Sequence, residues 1–317
     1  MISTVDPSSE LFLADINRTQ QRIADASRQV SSGKRITAPS DAPDQVSILL
    51  QLRAQQLHNR QVQSNLVLAK ANTDAADSAL SSAIKLMDAA LTVADQGASL
   101  SGNTTSRQNL AQQVASLQAQ MVQISLTTVQ GKYIFSGDQD SSPSYVLDLS
   151  PPAPPKGTTA AASNGVDPLL YPSATRQMED PAGGSFSANK TAYEIFDNGR
   201  TTTGFAADNV FAALNNLRLA LLSDDTSQVA NTIGSIKTAS AHLNAMEAFY
   251  GNVQNRIQSA DNYASTNDIS LRTQISQVED ADVTSAALEL TQSTTELQAA
   301  FQMRAKMPHN SLFDFMG

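Results

Sequence analysis

The chain has 317 residues, a net charge of −9 and a pI near 4.8, a balance that disfavours nucleic acid, because phosphate binding needs clustered Lys and Arg. Cysteine is absent, which excludes disulfides and thiolate metal sites, and no apolar run approaches the ~20 residues of a membrane span. Trp is missing and aromatics are only 5%, so the composition favours long helices with thin seams over one thick core.

The first twenty residues lack the basic start, apolar core and small-residue cleavage site of a signal peptide, so ordinary signal-peptide secretion is not expected. Residues 1–33 carry Leu13, Ile16, Ile23 and Val30 at helical spacing, with Gln20 and Ser27 at the intervening positions. This is a weak amphipathic stripe that Gly33 stops. Lys34 to Pro39 reads as a connection, after which Ser40 or Asp41 caps a new helix with Pro43 in its first turn. From Asp44 to Gln96 there is neither Gly nor Pro, enough for a helix of roughly 80 Å. Its apolar positions are Val46, Leu50, Leu57 and Ala71, then Leu80, Ile84, Met87, Leu91 and Ala94. Gly97 and Gly102 turn the chain, and Leu110, Val114, Leu117, Met121 and Ile124 mark a third helix, giving an antiparallel hairpin.

The character changes at Gly131. Residues 131–205 hold eight of the 14 glycines, eight of the 12 prolines and eight of the 16 aromatics, so turns and short extended pieces replace seams. The strand candidates are Tyr133 to Phe135, Tyr145 to Leu147 and Tyr193 to Phe196, and Pro151 to Pro155 is a stiff link. Helical periodicity resumes at Val210, Leu214, Leu217 and Leu221, with Asp224, Asp225 or Thr226 as a cap. A heptad ladder follows at Val229, Ile236, Leu243, Tyr250, Ile257, Ala264, Leu271 and Val278, widened by Ala239, Met246, Val253 and Ala260. After Val278 the register slips by five to Val283, Ala287, Leu290, Leu297 and Phe301, with Asp280 or Asp282 as cap. The end carries Leu312, Phe313 and Phe315, an apolar cluster that needs a partner.

These elements predict a mainly α fold: a long antiparallel coiled-coil rod formed by both chain ends, with a small β-containing insertion. The expected divisions are terminal helices at 1–40 and 280–317, a helical rod at 41–137 and 206–279, and an outer insertion at 138–205. The terminal stripes are too polar to hold alone, so they are expected to order when subunits assemble.

Chemistry is sparse. His58, His242 and His309 are far apart and none has a second ligand at helical spacing, which argues against a metal site. Glu279, Asp280 and Asp282 sit at the register break, where capping is the natural role. Asp138 and Asp140 lack the Gly and terminal Glu of a calcium loop. There is no phosphate-binding glycine loop and no nucleophile elbow. The chain reads as a non-enzyme without cofactors.

Ser31-Ser32-Gly33-Lys34-Arg35-Ile36, then Pro39 and Asp41-Ala42-Pro43-Asp44, resembles the amino-terminal signature of flagellins and their hook-filament junction relatives. Gly251 to Ile257, with Gln254, Asn255 and Arg256, is similar to the carboxy-terminal flagellin motif, and Val278 to Val283, with Asp280 and Asp282, to the acidic turn before its last helix. Gly131-Lys132-Tyr133-Ile134-Phe135-Ser136-Gly137 and the ending Ser311 to Phe315 resemble the junction branch of the family rather than filament subunits, whereas Val253 to Arg256 is closer to filament flagellin. The resemblance implies a structural protein that leaves the cell unfolded through the flagellar type III export apparatus, without a cleaved signal peptide and with an export chaperone among its partners. It implies an extracellular place between hook-associated protein 1 and the first flagellins, in a ring of copies of itself. The terminal helices would be the inner, axial domain, with Leu13, Ile16, Ile23, Val30, Leu290, Leu297, Phe301, Leu312, Phe313 and Phe315 as the assembly interface. The alternatives are a filament flagellin and, more remotely, a type III secreted effector or enzyme with its site in the insertion.

Overall fold

The structure, a computed structural model, describes residues 7–99, 103–150, 163–172, 174–200 and 204–306. The chain is mainly helical, and its contacts divide it into two compact units. One is built from the two chain ends, up to His58 and from Asn267, and the other from residues 59–266.

The end unit contains α1 (Pro7–Ser32), the first part of α2 (Pro43–Ser99), the last part of α6 (Thr226–Glu279) and α7 (Val283–Lys306). Gly33 stops α1 as expected: at φ +67° it sits in the left-handed region, where glycine costs least, and its N–H closes on Gln29 O at 2.9 Å. Asp282 is the residue that caps α7, accepting from the N–H groups of Thr284 and Ser285 at 3.0 and 3.1 Å. Asp41 does not cap α2. Its carboxylate turns back to the Thr37 and Ala38 N–H groups and the Thr37 hydroxyl, closing the preceding turn.

In the larger unit α2 and α6 run antiparallel: Asn59 donates to Ala264 O at 2.7 Å, Gln254 to Asp74 at 3.1 Å, and a Cβ on Gly97 would meet Val229. The ladder on α6 is buried from Val229 to Leu271, with Val278 half-buried at its end, and Ala239, Val253 and Ala260 are buried beside it. The facing ladder on α2 is Leu66, Thr73, Leu80, Met87 and Ala94, all within 1% of full burial. The apolar positions expected earlier on α2 are wrong at three places: Leu50 and Leu57 stand 59% and 66% exposed, and Ala71 is exposed. Leu49 and Leu52 are buried in their stead, because Asn59 and Thr73 occupy inward positions that an apolar pattern skips. Helices α3 (Thr104–Ser125) and α5 (Val210–Leu222) complete the core, with Leu110, Val114, Met121, Leu214, Leu217 and Leu221 in one cluster with the ladders.

Among the described residues the strands form three two-stranded antiparallel sheets. β1 (Thr128–Val129) and β2 (Lys132–Tyr133) flank a two-residue turn in which Gln130 and Gly131 both have positive φ, the combination that matches hairpin twist. β3 (Tyr145–Leu147), as expected, pairs with β4 (Val166–Pro168), and β5 (Gln177–Glu179) with β6 (Ser185–Ser187). Tyr193 to Phe196 is helix rather than strand. Thr191 and Glu194 form a capping box, each side chain taking the other's backbone N–H, and this starts α4 (Ala192–Phe196).

Gly137 locks this region. Its φ is +58°, and a Cβ there would stand 2.7 Å from Ala174 O and 2.9 Å from Pro172 Cβ. Gly137→Ala is therefore expected to lower stability by about 1–3 kcal/mol, read as a shift in urea midpoint, whereas Gly131→Ala meets no neighbour and carries only the backbone term.

Candidate assembly interface

In the end unit α1 and α7 pair antiparallel. Arg22 donates to Glu289 and Glu296 at 2.6 and 2.8 Å, and near the other end Arg304 donates to Ser9 at 2.9 Å and lies 5.5 Å from the Phe12 ring. Because Arg22 and both glutamates are more than a third exposed, these pairs set register more than stability. The seam itself is thin: Ile16, Ala26, Ala286 and Ser293 are the buried residues.

The connection after α1 and the break before α7 meet in one clasp. Glu279, 4% exposed, is held by Lys34 and by Arg53 Nη2 at 2.7 Å. Its carbonyl accepts from Arg35 N at 2.7 Å and Ile36 N at 3.3 Å, Ala281 N donates to Gly33 O at 3.0 Å, and Arg35 Nη2 reaches Val278 O at 2.7 Å. Burial disfavours the charge on Glu279, but Lys34 and Arg53 outweigh it and hold its carboxyl below the ordinary range. Hydrogen bonds from Ala38 and Thr37 bring Asp41 down to about 2. Asp282 is lowered by its Ser285 cap bonds, Glu289 by Arg22, and Glu296 by Gln292 and Arg22.

All five folded-state values lie below their unfolded ones, so their stabilisation is present at neutral pH and is lost as pH falls through the folded values. The end unit is thus expected to lose stability between about pH 5 and pH 2. Helicity followed against pH with Asp41→Asn and Glu279→Gln as controls checks this: the variants should be less stable at pH 7 and should show a flatter acid limb.

The exposed surface of this unit is unusual. Sixteen large apolar residues stand exposed among the described residues; ten belong to the end unit and six to the larger one. On α1 and α7 they are Leu11, Leu13, Val283, Leu288, Phe301 and Met303, from 46% to 69% exposed. These exposed apolar residues of α1 and α7 are the candidates for contact with a partner.

Models of the bacterial flagellin N-terminal helical region and C-terminal helical region match residues 2–140 and 233–316. The chain belongs to the flagellin family. It is homologous to flagellar hook-associated protein 3 of Escherichia coli (strain K12), 26% identical over 309 residues and spanning 90% of both chains. Its fold is similar to a putative flagellar hook-associated protein from Vibrio parahaemolyticus, at 19% identity and TM-score 0.61 over 76% of this chain and 100% of that one. It is also similar to flagellar hook-associated protein-3 from Legionella pneumophila, at 13% identity and TM-score 0.58 over 74% and 99%.

In this flagellin-family chain the two terminal signatures meet: Gly33 bonds to Ala281, Lys34 forms a β-bridge to Asp280 and Arg35 bonds to Glu279, while Asp41 closes the turn after α1 and Asp282 caps α7. The middle signatures lie in the larger unit. Phe135 is fully buried, with ring centroids 5.8 Å from Phe196 and 6.4 Å from Tyr250 of the α6 ladder. Tyr133 pairs across the β1–β2 turn, Gln254 bridges to Asp74, Asn255 is exposed, and Arg256 sits 4.3 Å over Phe186 and donates to Asp180 at 3.2 Å. The terminal apolar positions divide: Ile16 packs within the chain, Ile23, Val30, Leu290 and Leu297 are half-buried, and Leu13 and Phe301 are exposed. Leu312, Phe313 and Phe315 lie outside the described residues, as does His309. Helices α1 and α7 are paired inside one chain, which differs from a seam formed only between subunits.

Arg53 and Arg22 are site residues that sequence reading does not reach, and Lys34, though inside the amino-terminal signature, has no partner assigned by it. Opposite charges hundreds of residues apart carry no local signal. Among the described residues no cluster of three or more metal-ligating side chains occurs, and no helix is long and apolar enough to cross a membrane. His242 contacts Glu194 O at 2.9 Å and Asp208 at 3.4 Å.

Proposed function

We propose that this chain is a non-enzymatic structural subunit of the bacterial flagellum that joins the hook region to the flagellin filament. The reading rests on homology to a hook-associated protein 3 over 90% of both chains, and the exposed apolar residues of the end unit are the single structural observation that carries it. In this reading residues 1–40 and 280–317 are the axial assembly domain, and the outward faces of α1 and α7, with Leu13 and Phe301, are covered by neighbouring copies. The half-buried Ile23, Val30, Leu290 and Leu297 complete that contact, and the terminal Leu312, Phe313 and Phe315 extend it. Residues 41–137 and 206–279 form the helical body and 138–205 the outer insertion. The partners are hook-associated protein 1 on one side, flagellin on the other and copies of the chain in a ring. Export proceeds through the flagellar apparatus with a chaperone, to an extracellular position.

Deleting residues 1–30 tests the assignment of assembly to the ends. The truncated chain should keep the helicity and melting of the larger unit while failing to enter flagella. Normal incorporation would overturn it.

A further inference from the structure

The sequence holds two Asn-Gly dipeptides, Asn164-Gly165 and Asn198-Gly199, and the larger unit places them in opposite surroundings. Asparagine before glycine is the pairing most open to self-modification, because no side chain shields the glycine N–H from the asparagine amide carbon. Asn164 is 1% exposed, its Nδ2 donates to Asp197 at 2.7 Å, its carbonyl accepts from Gln118 Nε2 at 2.7 Å, and Gly165 N donates to Ser163 Oγ at 3.2 Å. A Cβ on Gly165 would also collide with Gln118, so neither the nitrogen nor the carbon it must reach has room to move. The second dipeptide stands in the turn after α4. Asn198 and Gly199 are half-buried, Gly199 has a φ of +63°, and its N–H donates to no described residue. The Asn198 amide nitrogen has one partner among the described residues, Asp208 Oδ2 at 2.9 Å.

We propose that Asn198 is a site of spontaneous deamidation and that the fold protects Asn164 from the same reaction. Gly199 N gives up its proton to solvent and attacks Asn198 Cγ. The new C–N bond closes a succinimide ring, the Cγ–Nδ2 bond breaks, and the nitrogen leaves as ammonia with a proton returned by solvent. Water then opens the ring at either carbonyl, leaving aspartate or isoaspartate. One water enters and one ammonia leaves, with no oxidant and no second protein. The product matters to α5. The Asn198 carbonyl accepts from Asn209 Nδ2 at 3.1 Å, and Asn209 caps α5 by accepting from Ala212 N at 2.9 Å. Conversion replaces the donor to Asp208 with a second carboxylate, beside the fully buried Asp197, and like charges in contact repel. Arg200 and His242 are the neighbouring basic groups, and each is already engaged, by Asp197 at 3.2 Å and by Asp208 at 3.4 Å. The isoaspartate form also lengthens the main chain by one carbon next to Ala206, where a Cβ on Gly199 already finds no space. Deamidation therefore loosens the start of α5.

The test is peptide mapping by mass spectrometry of the full chain held folded at mildly alkaline pH, with the aspartate and isoaspartate products separated by chromatography. Asn198 should convert at least about tenfold faster than Asn164 in the folded chain, and the two rates should come within about threefold of each other in urea, where the fold no longer separates them. Asn198→Gln should remove the product at that position. No conversion at Asn198, equal conversion of both sites in the folded chain, or a tenfold difference that persists in urea overturns the proposal. Asn198→Asp should lower the urea midpoint followed by circular dichroism, and adding Asp208→Asn should restore it. An Asn198→Asp chain as stable as wild type overturns the link to α5.

Discussion

A chain carrying Leu13→Asp and Phe301→Asp is expected to fold normally and fail to assemble. Both residues are more than half exposed and lie near the same level of the antiparallel α1–α7 pair, so neither is needed for packing within the subunit, where surface changes stay within about 0.5 kcal/mol. In an assembled ring each would be buried. An apolar side chain of this size contributes about 1.5–3 kcal/mol on burial, and a buried unpaired carboxylate reverses the sign and adds its desolvation cost. Two substitutions per subunit, repeated at every contact, leave no net driving force. Cells with the variant as sole copy should produce hooks without attached filaments, and purified variant should match wild type in circular dichroism. Ile16→Asp is the contrasting control: it is 8% exposed in the α1–α7 seam and should lower helicity as well. Filaments of normal number on the double variant would show that assembly uses another surface.

Phe135→Ala carries the largest effect expected on the fold. The ring is completely buried and meets Phe196 and Tyr250 edge-on, while its carbonyl accepts from Ala192 N at 2.7 Å at the start of α4. Truncation leaves a cavity where helix α6 meets the non-helical part of the unit, at an expected cost of about 3–5 kcal/mol. Phe135→Leu, closer in volume, should cost under about half of that. Urea unfolding by circular dichroism reads both as midpoint shifts at constant slope. A loss below about 1 kcal/mol for the alanine variant would mean that the site collapses around the gap or that the ring is not central.

The α6 ladder was legible in the sequence because every rung from Val229 to Leu271 is apolar and the period is constant. Its partner on α2 has the same period, Leu52, Asn59, Leu66, Thr73, Leu80, Met87 and Ala94, but two rungs are polar. Asn59 fills its hydrogen bonding with Ala264 O and Thr73 with Lys70 O, so burial is satisfied by partners that no periodicity count reveals. Leu50 and Leu57 attracted the reading to the wrong face for the same reason.

Elsewhere local chemistry was present and outweighed by composition. Tyr193, Ile195 and Phe196 look like a strand, yet the Thr191 and Glu194 box three residues apart states a helix start. The clasp around Glu279 was half visible. Its members occur in two recognisable signatures, but the pairing of Lys34 and Arg53 with Glu279 depends on the chain ends meeting, a property of topology rather than of any window. The thin α1–α7 seam was expected to need neighbours; Arg22 and Arg304 instead tie the pair within one chain, and the proposal leaves the exposed apolar residues of both helices for neighbours.

Where the protein sits on the cell tests the account most directly. Immunogold labelling of intact flagella with an antibody against the described surface of the larger unit should give a single band at the hook end of each filament. Label running continuously along the filament would identify a filament flagellin and contradict the junction assignment.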